Sequence, residues 1–73
     1  MEKKILRASI GHYNAMISKH EINVRVLLEN PVGVAEHPDL LETVETELAQ
    51  MAHYRDLLHE AEALLLSYNT PKV

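Results

Sequence analysis

Apolar side chains return at alternating steps of four and three along the first part of the chain: Leu6, Ile10, Tyr13, Ile17, His20, Val24 and Leu27, with His20 the one polar member. That spacing predicts a helix with a single seam built to lie against another helix. A second stretch repeats the pattern with Leu41, Val44, Leu48, Met51, Tyr54, Leu58, Ala61, Leu65 and Tyr68, interrupted by one extra three-residue step near Met51. A local overwinding, or a straight helix of 3.6 residues per turn, would absorb that step.

Between the stretches lies Asn30-Pro31-Val32-Gly33-Val34-Ala35-Glu36-His37-Pro38-Asp39. Asn, Pro and Gly at the first, second and fourth places of Asn30 to Gly33 predict a type I turn, since proline fixes φ and asparagine bonds its own backbone. Pro38 suits the first turn of a new helix, with His37 as its N-cap and Asp39 and Glu42 in the positive field of the helix start. The second helix is expected to end near Tyr68, where Asn69 can turn left-handed and Pro71 forbids continuation. The expected architecture is all-α and a single domain: a helix over about 2–29, a joint over about 30–37 and a helix over about 38–68, folded back as an antiparallel hairpin. A straightened joint would instead pair the helices between chains in a swapped arrangement.

One such hairpin is short of contacts. Burial along a single two-helix seam offsets the entropy of ordering the chain only to about break-even. The sequence offers further apolar surface for an assembly. Ala8, Gly11, Ala15, Ile22 and Val26 share a second face of the first helix, about opposite the seam, and Leu57, Ala61 and Leu64 widen the apolar face of the second. These eight residues are the candidate oligomer interface, and the expected assembly is a homodimer forming a four-helix bundle, or a higher oligomer. Gly11 reads equally as a point of close helix approach or as a tolerated defect.

Composition narrows the function more than it defines it. Hydrophobic residues make up 47% of the 73, so a folded chain is expected despite a net charge of -4. Cysteine is absent, which removes disulfides, thiolate metal sites and cysteine nucleophiles and fits a reducing, cytoplasmic setting. The longest apolar run, Ala63 to Leu66, is far below what a membrane span needs, so no membrane partner is expected. Residues 1–30 carry five basic and three acidic side chains, a balance of +2; residues 31–73 carry two and eight, a balance of -6. The two halves should attract, setting orientation more than stability.

No catalytic signature emerges. With glycine only at positions 11 and 33 a nucleotide cradle is excluded, and no Ser/His/Asp set or paired carboxylate can be drawn. The five histidines include no pair at helical ligand spacing, so no metal or other cofactor is expected. His20 on the seam is read as a register-setting polar residue that reaches the hydroxyl of Tyr54, the two forming a candidate polar core. If it is buried and neutral there, forcing a proton onto it between pH 8 and 5 should destabilise the assembly. Glu42, Glu45, Asp56 and Glu60 share a side of the second helix, which reads as a solvated face. Lys3, Lys4 and Arg7 form a small basic cluster, but an acidic chain is a poor phosphate binder.

The joint and the start of the second helix, with Glu47-Leu48 and Ala52-His53-Tyr54 beyond it, resemble a segment of small uncharacterised helical proteins of T4-type tailed phages, over roughly residues 27–60. The resemblance implies an accessory protein acting inside an infected bacterium and implies no enzyme. The leading expectation is a small non-enzymatic helical interaction protein that binds a host or phage protein. The alternatives are a weak nucleic-acid-associated protein using the basic N-termini of a dimer, and a metal- or pH-responsive bundle centred on His20.

Overall fold

The computed structural model describes residues 1–30 and 39–70. They form two helices, α1 over Glu2–Glu29 and α2 over Leu40–Asn69, with no strand among the described residues. The helices run antiparallel. Tyr13 lies beside Tyr54, while His20, seven residues further along α1, hydrogen-bonds Glu47, seven residues earlier on α2.

The ends are closed by local bonds. Asp39 occupies the N-cap position of α2, and its carbonyl oxygen accepts both the backbone N–H (2.8 Å) and the hydroxyl (2.9 Å) of Thr43. The expected turn at residues 30–33, the His37 cap and Pro38 fall largely outside the described residues. At the far end Asn69 is still helical, and no described residue has a positive φ, so the expected left-handed exit at Asn69 is not used. Thr70 ends the helix in extended conformation (φ -85°, ψ 127°), and its N–H and hydroxyl both bond the Leu66 carbonyl at 3.0 and 2.8 Å.

The α1 seam follows its predicted spacing: Leu6, Ile10, Tyr13, Ile17, Val24 and Leu27 are half-buried and His20 is buried. On α2, Met51 and Ala61 are buried and Val44, Tyr54, Leu58 and Leu65 half-buried. Three expected seam residues are not there. Leu41 is 84% exposed, Leu48 49%, and Tyr68 is exposed at the helix end. Leu40 and Glu47 are turned inward in place of the two leucines. The seam then reads 40, 44, 47, 51, 54, 58, 61, 65, an unbroken alternation of four and three, and the irregular step near Met51 disappears. The seam accommodates a charged residue here because Glu47 finds hydrogen-bond donors on α1.

The candidate interface residues separate. Ala61 belongs to the interior of the hairpin, packed against α1, and not to an outer face. Leu57 is half-buried, whereas Ala8, Gly11, Ala15, Ile22, Val26 and Leu64 are exposed. A Cβ placed on Gly11 would meet nothing within 4 Å, so within one hairpin no close approach requires this glycine. The attraction expected between the two halves is not made by direct pairs. Among the described residues no Lys or Arg meets a carboxylate of the other helix, and Arg25 pairs within α1 with Glu21 at 3.6 Å.

The result is a rod, 59 × 16 × 15 Å, with a radius of gyration of 16.8 Å where a compact chain of this length would have about 11 Å. Its accessible surface is 5737 Å², against about 4,600 Å² for a compact monomer of 8.3 kDa. Among the described residues Met51, Ala61 and His20 are buried, and none has a completely enclosed side chain.

Candidate functional site

Among the described residues, the polar cluster between the helices is built on His20. Its place in the α1 seam carries it to 8% exposure against α2, where Nδ1 bonds Oε2 of Glu47. Asn23, nearly a turn further along α1, donates from Nδ2 to the other carboxylate oxygen of Glu47 at 3.2 Å. A carboxylate only accepts, so the hydrogen of this contact sits on Nδ1. The two helices are thus joined by a carboxylate on α2 held by two donors one turn apart on α1.

Rings close the site towards the chain termini. Tyr54 stacks on His20 with centroids 6.1 Å apart and planes inclined by 14°, and its other neighbours are Tyr13 at 6.1 Å, His12 at 6.1 Å and His53 at 5.0 Å. The sequence reading places His20 beside Tyr54, and the two are neighbours. Their contact is ring on ring, however, and the hydrogen bond goes to Glu47 instead of the tyrosine hydroxyl. The carboxylate is the stronger acceptor and stands level with Nδ1 in this register.

The hydrogen bond from His20 holds the Glu47 carboxyl below its usual range, against the opposing effect of partial burial; the Asn23 amide and the charges of His20 and Lys19 add to the lowering. Ionised Glu47 is therefore the form the hairpin holds.

Catalysis is poorly served by this geometry. A histidine oriented by a carboxylate can act as a base only through its second ring nitrogen. His20 Nε2 is buried and has no hydrogen-bond partner, so the nitrogen that would have to meet a substrate is sealed in the seam. Among the described residues no three His, Asp or Glu side chains are arranged to hold a metal ion, and no helix is long and apolar enough to cross a membrane. The acidic side chains Glu42, Glu45, Asp56 and Glu60 are exposed.

Sequence reasoning misses Glu47 because a seam is searched for through apolar residues. The signal that marks it is the spacing: starting from Leu40 instead of Leu41, the four-three alternation runs unbroken and lands on Glu47. Compared with family models, with curated proteins and with solved structures, the chain finds no match.

Proposed function

We propose that this chain is a non-enzymatic helical interaction protein whose working form is an assembly of hairpins, a homodimeric four-helix bundle in the simplest case. The observation that carries the reading is that no described side chain of the hairpin is fully enclosed, together with an accessible surface about 1,100 Å² above that of a compact monomer of its mass. A standard protein interface removes about 800 Å² from each partner, so one association of ordinary size would make up the deficit. The sealed Nε2 of His20 supports a structural role for the only buried polar cluster among the described residues. The likeness to small proteins of T4-type phages gives such an assembly a setting, as an accessory factor that meets a host or phage protein in an infected bacterium.

Sedimentation equilibrium of the purified chain tests the reading. A mass of two chains or a higher multiple at micromolar concentration is expected, and a folded species of one chain would overturn it.

A further inference from the structure

The leucines displaced from the seam gather on one edge of the rod. Seven-residue steps along α1 give Arg7, Asn14, Glu21 and Leu28, and along α2 they give Leu41, Leu48, Arg55 and Glu62. In an antiparallel pair these two rows flank the seam on the same side. The other side is marked by Asn23 and Thr43, which line a shallow groove with Val26 and Leu27. The half of the first edge nearest the joint is apolar, since Leu28, Leu41 and Leu48 all lie exposed there.

We propose that a second copy of the chain covers this edge, lying with its joint at the same end, so that α1 of each hairpin rests over α2 of the other. The inference rests on the assembly reading above and names its surface. Leu41 and Leu48 are the large side chains that a two-helix seam has no room for, and a second seam between hairpins would bury them. The deficit of buried area matches one such contact. Charge selects the orientation. Along this edge and just outside it α1 presents Lys4, Arg7 and Arg25 against Glu21, while α2 presents Glu45 and Glu62 against Arg55. Resting α1 on α2 of the copy therefore sets a net positive strip on a net negative one, whereas a copy turned end for end would oppose like strips. The pairing of His20 with Glu47 and of Tyr13 with Tyr54 puts Leu28 about level with Leu41, Arg25 with Glu45, and Arg7 with Glu62. Each of these pairs would recur between chains, giving an isologous contact.

Sedimentation equilibrium with circular dichroism on four variants tests this. Because Leu41 is 84% exposed, Leu41→Glu leaves the hairpin itself unstrained. It should nevertheless weaken dimerisation by roughly tenfold or more, while Leu64→Glu on the opposite edge should leave it near wild type. Arg7→Glu and Glu62→Arg should each weaken self-association, and mixing the two variants should restore it. In the mixed dimer the glutamate introduced at position 7 of one chain faces the arginine introduced at position 62 of the other. The second site keeps the native pair, and mixing changes nothing within either hairpin. Recovery on mixing therefore reports contact between chains. A wild-type dimer indifferent to Leu41→Glu, or one broken by Leu64→Glu instead, overturns the choice of edge and leaves the assembly reading standing. Failure of the mixture to recover overturns the orientation. A wild-type chain that stays single overturns both this inference and the assembly reading.

Discussion

His20 exchanges water for one hydrogen bond and leaves its second nitrogen without a partner, an arrangement that a hydrophobic side chain of similar size would not need. Buried polar pairs of this kind contribute little net stability, yet removing one member strands the other. His20→Leu and Glu47→Leu should accordingly each lower the stability of the fold by about 1–3 kcal/mol. The double change should recover most of the loss, and denaturant unfolding of the four proteins in a double-mutant cycle measures the difference. What the pair would contribute is register, because a slip of the helices by one turn would bring ionised Glu47 against aliphatic seam positions. Acid should act through the carboxylate. Glu47 is lowered from its reference value of 4.5, so its contribution to stability is complete above that value and is lost as the pH falls through the lowered value. Unfolding free energy followed from pH 6 down to 2 should fall in that acidic window, and Glu47→Gln should flatten this part of the profile.

At the scale of the helices, most of the architecture could be read from spacing. The α1 seam from Leu6 to Leu27 follows its apolar residues one for one, because every position but His20 is aliphatic or aromatic and the alternation is unbroken. On α2 the apolar residues offer two stripes a single residue apart, one from Leu40 and one from Leu41, and hydrophobicity alone chooses the wrong one for the first two turns. A carboxylate is counted against a seam unless its partners on the other helix are known, and those partners, His20 and Asn23, are remote in sequence. This is also why the candidate cluster was half legible: His20 stands out within its own helix, whereas Glu47 acquires its role only from the register. Gly11 tests the helix itself. With open space around it, Gly11→Ala should raise stability by about 1 kcal/mol through helix propensity alone, as read by urea unfolding.

On the scale of the whole molecule, the two helices form a rod with a stripe of contact and too little surface to wrap it. Helices of 28 and 30 residues are long enough to hold their own hydrogen bonds, but their tertiary packing is one layer deep. The exposed Leu41 and Leu48 follow from the choice that α2 makes at its start: turning Leu40 and Glu47 inward turns the neighbouring leucines out. In the assembly proposed above, association and the polar seam would be linked, since the same rotation of α2 that admits Glu47 exposes Leu41 and Leu48. Replacing Glu47 and His20 together by leucine would also free α2 to roll, and the proposed bundle should then give a mixture of species in sedimentation velocity where the native chain is expected to give one.

The central claim, that the hairpin completes its fold by associating, is tested most directly by thermal unfolding over a hundredfold range of chain concentration. Association coupled to folding requires the midpoint to climb steadily with concentration. A sharp transition whose midpoint stays fixed across that range would contradict the account.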